Sequence, residues 1–96
     1  RMPQLPEVPT LGESGLPDFE ATSWVGAMLP SATPNPLVHA LSNHIARILR
    51  EPDVQSRFTE LGARLVGNSP ADFSDYVRKE RKRWESVIRA ANIRLD

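Results

Sequence analysis

The chain combines three strong helix signals with very little β-strand. Residues 19–30 form one convincing strand candidate, and a second, very short candidate lies near residues 64–67. Two such strands do not make a stable sheet, because three or more strands or a large helical cover are needed. The imbalance predicts the end of a layered α/β protein whose other strands lie outside these 96 residues.

Each predicted helix has a residue that marks one of its ends and an apolar stripe along one face. The predicted helix at 35–50 has Asn35 as N-cap and a proline in the first turn. The helix at 52–61 is closed by Gly62, and the helix at 70–91 follows Ser69, with an acid in its first turn. The apolar stripes at helical spacing comprise Leu37, Val38, Leu41, Ile45, Ile48 and Leu49, then Val54, Phe58 and Leu61, then Phe73, Tyr76, Val77, Trp84, Val87, Ile88 and Ala91.

The segment before the helices divides into a loop and the main strand candidate. Residues 1–18 are predicted to be an extended loop, since proline recurs at every third position from Pro3 to Pro9. In residues 19–30, period-two alternation places Ser23 on one face and Trp24 and Gly26 on the other. A glycine inside a strand often marks a bulge or a close backbone contact.

The charge pattern argues against a nucleic-acid-binding protein. Twelve basic residues balance twelve acidic ones, whereas a nucleic-acid-binding domain normally has a strong basic excess. The basic run at residues 78–83 would be spread around a helix and is diluted by Glu80, which favours a solvated helix face over an anion-binding patch. We therefore expect no nucleic-acid partner.

The sequence also lacks recognisable catalytic or metal-binding constellations. There is no cysteine, and His39 and His44 are five residues apart, whereas a helical metal pair needs a spacing of four. Neither a nucleophile elbow nor a glycine-rich phosphate loop occurs. We therefore expect no metal, no cofactor and no enzymatic activity.

Four stretches carry a family resemblance, and their order and spacing agree with it. They are residues 5–17 (LPEVPTLGESGLP), 19–26 (FEATSWVG), 61–73 (LGARLVGNSPADF) and 84–93 (WESVIRAANI). Together they resemble the C-terminal part of the tripartite tricarboxylate transporter receptor family, also called the Bug family. The loop at residues 29–34 departs from the family pattern, because the usual glycine is missing there.

The resemblance implies a fold and a role. The expected fold is the C-terminal fragment of a two-lobe periplasmic-binding-protein (type II) fold, with one main strand, one short strand and three helices. The expected role is part of a periplasmic solute receptor that binds a small organic acid or related carboxylate and delivers it to membrane transporter subunits.

The best candidate for ligand contact is the group Ser23, Trp24 and Gly26. A carboxylate needs hydroxyl and N–H donors in a partly desolvated place, and a strand that returns towards a cleft would present them. The alternative is that Trp24 packs under a helix and Gly26 relieves a steric conflict.

The apolar helix stripes leave a second function open. A small helical protein-interaction module would use them to bind a partner chain. In an isolated fragment their exposure would favour self-association or strand exchange. A compact, cooperatively melting monomer would favour the interaction module, and an aggregating or swapped species would favour the fragment of a receptor.

Overall fold

Three helices make up the regular structure of the described residues. The computed structural model describes residues 1–94, and its helices are α1 (Asn35–Ile48), α2 (Pro52–Glu60) and α3 (Pro70–Ala90). Each helix ends one or two residues before its predicted limit, and α1 packs against α3. No helix within the described residues has both the length and the apolar character needed to cross a membrane.

The helix starts follow from local hydrogen bonding. At α3 the Asp72 N–H donates to the Ser69 hydroxyl oxygen at 3.1 Å, and that hydroxyl donates to the Asp72 carboxylate at 2.7 Å. This satisfies one of the free N–H groups at the helix start. At α1 the prediction of Asn35 as N-cap is wrong, because Pro34 occupies that position and Asn35 is the first helical residue.

Two helix ends are closed by a residue in the left-handed region. Gly62 after α2 has φ +71°, and the Ala63 N–H reaches back to the Phe58 carbonyl at 2.9 Å. After α3, a left-handed asparagine (φ +50°) is followed by Ile93, whose N–H donates to the Ile88 carbonyl at 3.0 Å. Both are the six-to-one hydrogen bonds that satisfy free carbonyls at a helix end.

The predicted α/β, two-lobe (type II) arrangement is wrong for this structure. Among the described residues there is neither a strand nor a sheet, and residues 19–30 and 63–67 carry no regular secondary structure. A strand exists only where its N–H and C=O groups pair with a neighbour. Alternation marks two faces of a segment, but neither segment finds such a neighbour in the described part of this chain.

The described residues pack in local patches rather than around a common core. None of their side chains is fully buried. The accessible surface is 8676 Å², against about 5,500 Å² for a compact chain of 10.7 kDa. The radius of gyration is 16.9 Å, against about 12.5 Å for a compact domain of this length.

The N-terminal segment is a series of turns attached to the end of α2. The Gln4 amide donates to the Thr59 carbonyl, and the Met2 methyl group lies against Gly62. Further along, the Thr10 N–H donates to the Glu13 carboxylate at 2.8 Å, while the Glu13 N–H donates to the Thr10 hydroxyl at 3.2 Å. This reciprocal pair is a capping box, and Arg1 joins it through a 3.0 Å ion pair to Glu13.

We expect the capping box to be pH-sensitive. The Arg1 guanidinium, followed by the Thr10 N–H, holds the pKa of Glu13 below its ordinary value. A depressed pKa means that the interaction is complete above the unfolded-state pKa of about 4.3 and is lost as the pH falls through the folded-state pKa. The Thr10 amide resonance in an NMR titration should therefore move with a midpoint below that of the urea-unfolded chain. Arg1→Gln should raise the midpoint, and an unchanged midpoint would contradict the pairing.

Candidate functional site

Trp24 lies against the first turns of α3. Its ring meets Phe73 at a centroid distance of 5.6 Å and an interplanar angle of 82°, and Tyr76 at 5.7 Å and 81°. Phe73 and Tyr76 are three residues apart and thus neighbours on one helix face. Both contacts are edge-to-face, a geometry that contributes roughly 0.5–1.5 kcal/mol per pair beyond area burial. We call these three side chains the aromatic cluster.

Gly26 permits the close approach of its segment to the aromatic cluster. A β-carbon built on Gly26 would lie 2.1 Å from the Phe73 Cζ atom and 2.9 Å from each neighbouring ring carbon. Real β-carbons do not approach so closely, so any larger residue must displace the ring. The steric role expected for this glycine as one of two alternatives is therefore present in the structure.

The structure brings together two of the three predicted site residues. Trp24 and Gly26 both contact Phe73, whereas Ser23 is exposed. The Trp24 side chain is also exposed, with 38% of its surface accessible. Packing against α3 therefore leaves part of the indole open to solvent, and a role for it in ligand contact stays a prediction.

Phe73 and Tyr76 are the two members of the aromatic cluster that the sequence does not mark as site residues. Their apolar spacing predicts only the buried stripe of α3, although two aromatic residues at helical spacing i, i+3 can form one platform. That spacing, close behind the Ser69 cap, was the available signal. What it could not show is that the platform receives Trp24 from a segment distant in sequence.

The segment that carries Trp24 is rich in unused hydrogen-bond donors. In the described part of the chain, the backbone N–H groups of residues 20–29 have no protein acceptor. The exposed Ser23 hydroxyl adds another donor. Carboxylate oxygens are acceptors only, so such donors are the groups that a carboxylate ligand would need.

The basic run of α3 is partly neutralised within its own helix. Three of its five cations pair with acidic side chains three or four residues away, a spacing at which opposite charges meet on a helix surface. Arg83 also lies 5.6 Å from the centre of the Trp84 ring, whose N–H donates to Glu80. The ion pairs are Arg78–Asp75 at 2.7 Å, Arg81–Glu85 at 2.9 Å and Arg83–Glu80 at 3.4 Å.

Comparison with known proteins finds the same family along almost the whole chain. Residues 1–93 match the family model described as "Tripartite tricarboxylate transporter family receptor". A protein in the tcbD-tcbE intergenic region of Pseudomonas sp. (strain P51) is 39% identical over 92% of this chain and 26% of its own length. Protein BugT of Bordetella pertussis is 32% identical over 99% of this chain and 29% of its own length.

A third relative, from an intergenic region of Agrobacterium vitis, is 36% identical over 95% of this chain and 27% of its own length. The chain thus spans between a quarter and a third of these three relatives. The match of the family model extends over all four stretches that carried the resemblance. This chain therefore belongs to the tripartite tricarboxylate transporter receptor family.

Proposed function

We propose that this chain forms part of a periplasmic solute receptor that binds a small carboxylate-bearing metabolite for uptake by a tripartite tricarboxylate-type transporter. The family match over residues 1–93 is the observation that carries the proposal. The family is one of receptors rather than of enzymes, so the proposed mechanism is binding without bond chemistry. The partners of the receptor would be the membrane subunits of that transporter.

Within the chain, the residues proposed to take part in ligand binding are Ser23, Trp24 and Gly26. The Ser23 hydroxyl and the neighbouring backbone N–H groups would donate to a carboxylate, since charge-assisted hydrogen bonds are the stronger ones. The open part of the Trp24 ring would cover the apolar part of the metabolite. Gly26 would act indirectly, because its contact with Phe73 sets the position of this segment on α3.

Tryptophan fluorescence tests the proposal directly, because the chain has only two tryptophans. Trp84→Phe leaves Trp24 as the sole indole, and we expect its emission to change saturably on titration with citrate, a tricarboxylate probe. Ser23→Ala should weaken citrate binding about ten-fold, the effect of losing one hydrogen bond to a charged group.

The matched control is Trp24→Phe, which leaves only Trp84. Its emission should not respond to citrate, since Trp84 lies beside Glu80 and Arg83 on a different part of α3. An unresponsive Trp24, or an equal response of both indoles, would contradict the proposed contacts. So would a Trp24→Ala chain that is less stable but binds citrate with unchanged affinity, because Trp24 would then be a packing residue alone.

A further inference from the structure

The Phe73 ring points its tip at Gly26. A β-carbon built on Gly26 would lie 2.1 Å from the Phe73 Cζ atom and 2.9 Å from both ring carbons beside it. The equal and longer distances to those two carbons place the glycine beyond the end of the ring rather than over its face. The ring therefore limits how closely the backbone at residue 26 can approach α3.

The same ring also contacts Trp24. The two rings meet edge to face, with 5.6 Å between their centroids and an interplanar angle of 82°. Tyr76 makes a similar contact with Trp24, and Phe73 adds the contact with Gly26. One side chain of α3 thus meets the segment 23–26 at two positions, two residues apart.

The place of Phe73 is set by the start of α3. Its backbone N–H donates to the Ser69 carbonyl at 2.9 Å, which closes the first turn of the helix. The Ser69 hydroxyl accepts a second hydrogen bond of that turn, from the Asp72 N–H at 3.1 Å. A capped first turn is less prone to fray. The ring is therefore carried by an ordered helix, whereas the segment it meets has no regular secondary structure.

We propose that Phe73 is a positioning residue of the candidate ligand site. It holds residues 23–26 in place, so that the Ser23 hydroxyl and the Trp24 ring meet a carboxylate ligand in a fixed arrangement. Without it, the segment would have to be ordered on binding, which lowers affinity. This role rests on the proposed function, since it needs Ser23 and Trp24 to take part in ligand binding.

Phe73→Tyr separates positioning from apolar packing. The new hydroxyl is attached to Cζ and projects towards Gly26, where there is no room for it. In the Trp84→Phe parent, citrate affinity read from Trp24 emission should fall roughly ten-fold, the effect expected when one or two side chains must be ordered on binding. A ring needed for apolar packing alone would tolerate the change. The control Phe58→Tyr adds the same hydroxyl on α2, at a ring that is 38% exposed, and should leave affinity unchanged.

A size exchange tests the contact from both sides. Phe73→Leu leaves a gap at Gly26 and Gly26→Ala overfills the same space, so each alone should weaken citrate binding. In the double variant the added methyl group takes the space that the shorter side chain leaves, and affinity should recover to within about three-fold of the parent. Circular dichroism checks that each variant is folded where affinity is measured, so that a change in affinity is not a change in folded fraction.

Acrylamide quenching of Trp24 reports the position of the segment without any ligand. In the Trp84→Phe parent, Phe73→Leu should raise the quenching constant, because the indole loses one of its two ring contacts. The matched change Phe58→Leu on α2 should leave the quenching constant unchanged.

Several results would overturn the positioning role. They are an unchanged citrate affinity in Phe73→Tyr, equal effects of Phe73→Tyr and Phe58→Tyr, and a size exchange without recovery. A parent chain that does not bind citrate would instead overturn the proposed function. The hold of Phe73 on Trp24 would then be decided by acrylamide quenching alone, and an unchanged quenching constant in Phe73→Leu would contradict it.

Discussion

Gly26→Ala is expected to lower the free energy of unfolding by about 1–3 kcal/mol, the usual cost of forcing an extra carbon into a packed contact. The new methyl group would lie 2.1 Å from the Phe73 Cζ atom. If the Phe73 ring turns aside, its edge-to-face contact with Trp24 is disturbed. The loss should appear as a lower urea midpoint at fixed protein concentration, with the slope of the transition unchanged.

Two variants isolate the cause of this loss. Gly12→Ala is the matched control, since a β-carbon there meets only ordinary contacts, the nearest at 3.7 Å, and should change the midpoint little. In a Phe73→Leu background the ring is gone, so Gly26→Ala should cost less than in the natural chain. Additive effects of Gly26→Ala and Phe73→Leu would show that the two residues do not touch in solution.

Trp24→Ala is expected to lower the free energy of unfolding by about 2–3 kcal/mol, below the cost of truncating a fully buried ring because the indole is partly exposed. The substitution removes both edge-to-face contacts of the aromatic cluster. It also detaches the segment around residue 24 from α3. Urea unfolding measures the loss, and near-ultraviolet circular dichroism should lose the signal of rings held in fixed orientation.

Two control variants separate the effect of having an aromatic ring at position 24 from the effect of losing any tryptophan. Trp24→Phe keeps an aromatic ring and should retain at least half of the lost stability. Trp84→Ala removes a tryptophan of the same exposure, 38%, whose partners Glu80 and Arg83 belong to its own helix. That variant should lose less stability than Trp24→Ala; an equal or larger loss would show that the aromatic cluster does not hold the segment to α3.

The features that sequence reasoning placed well are those decided by neighbouring residues. Ser69 caps α3 through a residue three positions on, and Gly62 ends α2 by adopting a conformation that other residues avoid. Such hydrogen bonds close within one helical turn. The Thr10–Glu13 capping box is equally local, because its two hydrogen bonds join residues three positions apart.

The strand predictions failed because pairing is not a local property. The alternation in residues 19–30 describes which side chains share a face, but a sheet also needs a second segment at hydrogen-bonding distance. In this structure the segment is held instead by side chains, with Trp24 on Phe73 and Tyr76. Aromatic packing replaced the expected backbone ladder.

The amino-acid sequence by itself determined the family of the chain, the limits of its helices to within one or two residues, and the mixing of opposite charges along α3, since each depends on residue identity and short-range spacing. Only the tertiary structure decided that Trp24 lies across the first turns of α3 and that Phe73 occupies the space a side chain at Gly26 would need. Those outcomes depend on which distant surfaces meet, and this is settled by the shapes and exposed areas of whole elements rather than by any short run of residues.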